Sequence, residues 1–317
     1  MPFNVVRFRH EGRVQWGVIR GGVVTPVAGD FPTTGDFIRH VSATGPPTLD
    51  AAALDATAVT ILAPVTRNQQ FVCLGANYRQ HMIESGMDPD AKSYNMVFTK
   101  APSCIVPADS DVVRPRGVRF LDYEIELGLV LRREIVAPTV VTDADLHEFV
   151  AAVVIVNDYS ARDVQIPQMQ FYKGKSFRTF GPVGPYLCML DAGDMGALAD
   201  LRLTLAVNGE VRQSDSTRNL VYGPAETLTE LSGVHDLHPG DLIATGTPAG
   251  CALSIPSPMM QRIAALLPEK TKWDLFMSVQ AKRARYLKAG DVVEARIQSA
   301  DGAIDLGVQR NTVVLES

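Results

Sequence analysis

The stretch Phe120-Leu121-Asp122-Tyr123-Glu124-Ile125-Glu126-Leu127-Gly128-Leu129-Val130 decides how this chain is read. Its apolar residues alternate with its acids, as on a half-buried strand. Leu121, Tyr123, Ile125, Leu127 and Leu129 then share one face, and Asp122, Glu124 and Glu126 share the other. A helix would instead set residues 124 and 126 about 200° apart, at ~100° per residue. On a strand the two glutamates stand close enough to repel unless water or a cation screens them. Taken alone, the stretch favours a solvated acidic face on an edge strand.

A second stretch, Val153-Val154-Ile155-Val156-Asn157-Asp158-Tyr159-Ser160, shifts that balance. Its apolar run predicts a strand buried on both faces. A carboxylate at the tip of such a strand is held rigidly, as a ligand needs to be. The plainer role for Asp158 is to cap the following turn. Brought together, Glu124, Glu126 and Asp158 make an all-oxygen set that suits Mg²⁺ or Mn²⁺ better than Zn²⁺.

The chain has 317 residues, enough for one large or two modest domains. It is 46% hydrophobic and 21% charged, ordinary for a globular protein. A net charge of −5 offers no general basic field for nucleic acid. Cys73, Cys104, Cys188 and Cys251 are scattered and form no CxxC pair, and no signal peptide opens the sequence. The expectation is a cytoplasmic protein with reduced thiols. No apolar run approaches the ~20 residues of a membrane span.

Residues 1–66 read as a small N-terminal domain with a hairpin turn at Gly21-Gly22 and short helices near 36–40 and after Pro47. Residues 67–317 then carry the chemistry. A buried strand at 69–75 leads to a helical segment holding His81 and Glu84, three apart and so on one helical face. Such a pair suits a general base but is equally an ordinary surface pair. A short strand ends in Lys100, and a helix is expected over 142–150. Asn208-Gly209 between alternating runs marks a hairpin, and residues 224–233 read as a helix. Gly174-Lys175-Ser176 is not a phosphate loop, because Met169 stands where the Walker pattern needs glycine. Lys175 is either a point charge near an anionic substrate or a surface lysine. The Gly/Thr loop around Thr247 could hold a carboxylate or simply turn the chain. Two helices, about 258–267 and 271–287, precede the final strands.

Six motifs occur in one order: G-A-N-Y-R-Q-H at 75–81, D-Y-E-I-E-L at 122–127, N-D-Y-S-A-R-D-V-Q at 157–165, G-K-S-F at 174–177, G-P-V-G-P at 181–185 and G-D-L-I-A-T-G-T-P-A-G at 240–250. Together they resemble the fumarylacetoacetate hydrolase family. The resemblance implies a mixed α+β, mainly β fold: a β-sandwich roll, usually a homodimer. It implies Mg²⁺ or Mn²⁺ at Glu124, Glu126 and Asp158, and a His81–Glu84 dyad like that of the acylpyruvase-like members. It also places Arg162, Gln165 and Lys175 as groups that orient substrate or stabilise an oxyanion. Thr247, Tyr159 and Lys100 join them as substrate contacts.

The leading expectation is a metal-dependent hydrolase that cleaves a C–C bond in a small 2,4-dioxo acid. His81, oriented by Glu84, would activate water. Lys175 and Gln165 would stabilise the oxyanion, and the product enolate would be neutralised at the metal. The same site suits decarboxylation of a 2-oxo diacid or isomerisation of a 2-hydroxydienoate, and family likeness does not choose among them. A catalytically silent scaffold of the same fold is the alternative from another class. Two features depart from the family pattern: Arg178 follows G-K-S-F where an acid is common, and residues 251–289 form an insertion expected to hold a helical pair.

Overall fold

A computed structural model describes residues 1–50, 52–91, 93–256 and 258–316. Two sheets pack face to face. In the larger, of eleven strands, Ile125–Leu131 lies between Val150–Asn157 and Leu242–Ala244. Leu187–Met189 and then Phe3–His10 continue the sheet on one side, so the N-terminal strands extend it. Phe71–Gly75, paired in parallel with Leu242–Ala244, and Met96–Thr99 complete the other side. The smaller sheet runs Glu210–Ser216, Arg202–Val207, Val292–Gln298, Asp305–Leu315 and Val112–Arg114.

The apolar patterning explains the sandwich. Ile125, Leu127, Val153 and Ile155 from the large sheet share one core with Leu203, Leu205, Val293 and Ile297 from the small one. Val153 to Val156 are all fully buried. Each such side chain contributes roughly 1.5–3 kcal/mol relative to exposure. Gly128 sits where a Cβ would lie 2.8 Å from Val154 and 2.9 Å from Leu242, so its lack of a side chain lets three central strands close up. The result is a stiff sheet centre that carries Glu126 near one strand end and Asp158 just beyond another.

Several expectations needed correction. The acidic stretch is not a solvated edge: Asp122, Glu124 and Glu126 are all buried, and their strand is central. The strand is also broken. Leu121–Asp122 pairs with Ser160–Ala161 in a separate small ladder, and regular pairing resumes at Ile125. Between them the Glu124 amide donates to Asn157 Oδ1 rather than to a backbone carbonyl. The segment after Pro47 contains a strand, Leu54–Asp55, that pairs with Val23–Val24. The helix expected over 142–150 is confined to Leu146–Phe149. The hairpin turns at Gly21-Gly22 and Asn208-Gly209 stand as expected. The helical pair expected within residues 251–289 is Pro258–Ala265 and Glu269–Ala281. The four cysteines are free and buried. Among the described residues no helix is long and apolar enough to cross a membrane.

Candidate functional site

Glu124, Glu126 and Asp158 each offer an oxygen within 4.8 Å of the others, and all three are buried. Their partners are unequal. Lys175 Nζ donates to Glu124 Oε2 at 2.5 Å and also to Asp158 Oδ2. Lys100 Nζ donates to the other Asp158 oxygen, Oδ1, at 2.5 Å and to the Phe180 carbonyl at 2.7 Å. Arg162 reaches Glu124 Oε1 through one terminal nitrogen and Asp122 Oδ2 through Nε at 2.8 Å. Glu126 receives the Gly246 amide at 2.8 Å and has no ion-pair partner among the described residues.

The charge states follow from this asymmetry. Burial raises the Glu124 carboxyl, but the Arg162 and Lys175 charges outweigh it and hold the group below the ordinary range. Burial, with Asp158 and Glu124 as like-charged neighbours, pushes Glu126 well above that range. Four buried acids, including Asp122, face three buried bases, Lys100, Lys175 and Arg162. Were all four ionised, one negative charge would be left over; Glu126, the acid without a cationic partner, is the one whose proton is held instead. A hard divalent cation fits this donor set, because clustered carboxylates with uncompensated charge are what such an ion neutralises.

His81 lies on the helix Arg79–Glu84 and is partly accessible. Burial of its ring lowers its pKa; the Glu124 charge acts to raise it, Arg162 to lower it, and Glu84 to raise it. Glu84 itself is exposed, and no hydrogen bond joins it to the His81 ring among the described residues. The helix therefore supplies an imidazole that is neutral at pH 7, with Glu84 acting on it through charge.

The other expected residues lie as follows. Gln165 accepts from Arg162 at 2.8 Å through Oε1. The Thr247 hydroxyl donates to the Ile125 carbonyl at 3.0 Å and accepts from Gln213 Nε2 at 2.8 Å. The Tyr159 hydroxyl donates to Asn311 Oδ1 at 3.3 Å, across to the smaller sheet. Lys175 is a buried bridge between two of the acids and not a surface lysine.

Several supporting residues escaped the sequence reading. Asp122 accepts the amides of Ala252 and Leu253 at 2.7 and 3.0 Å while binding Arg162. Its place on the same alternating face as Glu124 and Glu126 was the available signal. Gln213 accepts from the Ile125 amide at 3.1 Å and so ties the Thr247 loop to the acidic strand. Cys251 Sγ lies 3.8 Å from Glu124 Oε1, and burial raises its thiol pKa well above the ordinary value.

Comparison with known proteins adds to this geometry. A family model described as fumarylacetoacetate (FAA) hydrolase C-terminal matches residues 70–314. Another, described as Rv2993c-like, N-terminal, matches residues 5–64. The mitochondrial oxaloacetate tautomerase FAHD2A of Bos taurus is 32% identical over 318 residues, covering 99% of this chain and 81% of that protein. Oxaloacetate tautomerase YisK of Bacillus subtilis is 36% identical over 207 residues, covering 64% and 67%. The solved structure of a fumarylacetoacetate hydrolase from psychrophilic Exiguobacterium antarcticum gives a TM-score of 0.74 at 29% identity, covering 99% of this chain and 100% of that one.

Proposed function

The chain belongs to the fumarylacetoacetate hydrolase family, and we propose from that premise that it moves a proton between carbon and oxygen in a small 2-oxo acid. The best-supported instance is keto–enol interconversion of oxaloacetate, the substrate named for two of its relatives. The observation that carries the reading is one imidazole, His81, within electrostatic reach of Glu124 in the three-carboxylate cluster and not hydrogen-bonded to Glu84. One base of that kind is sufficient for enolisation.

Glu124, Glu126 and Asp158 would hold Mg²⁺ or Mn²⁺. That ion, when bound, supplies Lewis acidity at the 2-oxo group. His81 removes the proton from the carbon next to that group and delivers it to oxygen, or the reverse. Lys175 and Arg162 keep positive charge beside the acids as negative charge develops on the substrate. Gln165 spends its oxygen on Arg162, which leaves its amide N–H groups to donate.

Hydrolytic cleavage of an acylpyruvate is the second reading. Glu84 favours it, because its charge strengthens His81 as a base toward water. One assay separates the two. Oxaloacetate enol, followed by its ultraviolet absorbance, should ketonise faster with Mg²⁺-loaded protein. His81→Ala should remove that acceleration by about 10²–10⁴-fold. If enol decay stays at the buffer rate while an acylpyruvate is split into two fragments, hydrolysis replaces tautomerisation.

A further inference from the structure

Asp122 lies two residues before Glu124 but outside the group of three acids whose oxygens gather. Its carboxylate accepts four hydrogen bonds. Oδ1 receives the amides of Tyr123 at 2.9 Å and Ala252 at 2.7 Å. Oδ2 receives Arg162 Nε at 2.8 Å and the Leu253 amide at 3.0 Å. A carboxylate offers about four lone-pair sites. All are spent, so Asp122 has no capacity left for a cation or a substrate.

What it fixes instead is Arg162. A guanidinium is planar and rigid, so gripping Nε sets the direction of the other two nitrogens. One of these donates to Glu124 Oε1, and the other to Gln165 Oε1 at 2.8 Å. Asp122 therefore stands one residue behind both a candidate cation ligand and a candidate substrate donor. The segment that carries the helical pair is fastened to the same place by both its ends. Ala252 and Leu253 bind Asp122 itself. At the far end Leu287 donates its amide to the Leu121 carbonyl at 2.9 Å, and the Tyr286 ring stacks on Phe120 with centroids 4.9 Å apart. Arg283 ties the two ends together, donating from Nε to the Ala252 carbonyl at 2.7 Å. We propose that Asp122 is a positioning residue: it aims Arg162 at Glu124 and Gln165, and it does so only while the root of the helical segment is docked on it. The reaction that Arg162 serves rests on the proposed proton transfer, whereas the positioning itself is read by binding.

Mg²⁺ binding to the full chain, followed by calorimetry, is compared in a double-mutant cycle. Asp122→Asn should weaken Mg²⁺ by about 10–100-fold, the usual cost of losing a partner behind a metal ligand. In an Arg162→Met background the same substitution should change it less than about two-fold, because the residue it acts through is gone. Should Asp122→Asn fail to fold, Asp122→Glu, which keeps the charge and moves it by one methylene, enters the same cycle with the same expectations. Arg283→Met should weaken Mg²⁺ at least about two-fold in the parent chain and leave it unchanged in Asp122→Asn. Equal losses with and without Arg162 would make Asp122 a structural residue and overturn the proposal, as would an unaltered Mg²⁺ affinity in Asp122→Asn. An Arg283→Met chain that binds Mg²⁺ as the parent does would overturn the link to the helical segment. Coupled Mg²⁺ binding in a chain that does not ketonise oxaloacetate enol would sustain the positioning and remove the proposed reaction.

Discussion

The Nζ of Lys100 donates to Oδ1 of Asp158 at 2.5 Å, with neither side chain exposed to solvent. Resemblance placed Lys100 among the substrate contacts; the structure encloses it behind a candidate cation ligand, where it fixes that ligand's orientation. Removing one partner of a buried pair leaves a charge uncompensated, at a cost of about 3–5 kcal/mol. Lys100→Met should therefore lose that much stability in cation-free protein. Saturating Mg²⁺ should restore about 2–3 kcal/mol at a hundred times its dissociation constant. Urea unfolding with and without Mg²⁺ measures both. A loss below about 1 kcal/mol would mean that the pair behaves like an exposed one.

Glu126 should show effects of opposite sign on stability and on binding. Burial and its like-charged neighbours raise its pKa in the folded chain. A raised carboxyl binds more protons folded than unfolded, so cation-free protein loses stability as pH rises toward the folded value. Glu126→Gln should be neutral or stabilising without a cation, yet weaken Mg²⁺ binding by about 100-fold or more. Mg²⁺ should also release protons on binding to the parent chain. Calorimetry in buffers of different ionisation enthalpy detects that release; its absence would show Glu126 already ionised.

The pH profile tests His81. Its folded pKa is lowered from 6.5, chiefly by burial. A base must be unprotonated to act, so the acid limb of kcat/KM should have its midpoint below 6.5, with activity flat above it. His81→Ala should abolish that limb along with most of the rate. A midpoint above 6.5 would mean that another group titrates or that nearby carboxylates outweigh burial.

Gly246 holds a φ of +94°, and a Cβ there would lie 2.9 Å from the Asn77 Cβ. Its amide is also the hydrogen-bond donor to Glu126. Gly246→Ala should cost about 1–3 kcal/mol in stability from backbone strain. It should also weaken Mg²⁺ binding, as the amide moves off the carboxylate. Calorimetric Mg²⁺ titration beside a thermal melt would register both, and an unchanged dissociation constant would separate the amide from the site.

Much of the architecture was legible because its causes are local. The apolar runs at 69–75 and 153–156 fall in the strands Phe71–Gly75 and Val150–Asn157, and the hairpin signals at Gly21-Gly22 and Asn208-Gly209 join the strands they suggest. Glu124, Glu126 and Asp158 could be grouped on paper because one alternating strand stacked the two glutamates on a single face and a buried strand ended at the aspartate. Their burial was not legible from residues 120–130 alone. It depends on Lys100, Lys175 and Arg162, which lie 24 or more positions away from Glu124 and supply the neutralising charge. The break at Tyr123-Glu124 likewise depends on a side chain from another strand, Asn157. Near Leu54, strand pairing with Val24 overrides the helical preference of the surrounding alanines.

The central claim is that the three acids hold a divalent cation on which proton transfer depends. Protein stripped by chelator should be titrated with Mg²⁺ while oxaloacetate enol decay is followed in the same cuvette. The account predicts that the stripped chain is silent, and that activity returns along a saturable curve whose midpoint shifts at least about 100-fold in Glu126→Gln. Full activity in the stripped chain, or an unshifted midpoint in the variant, would contradict it.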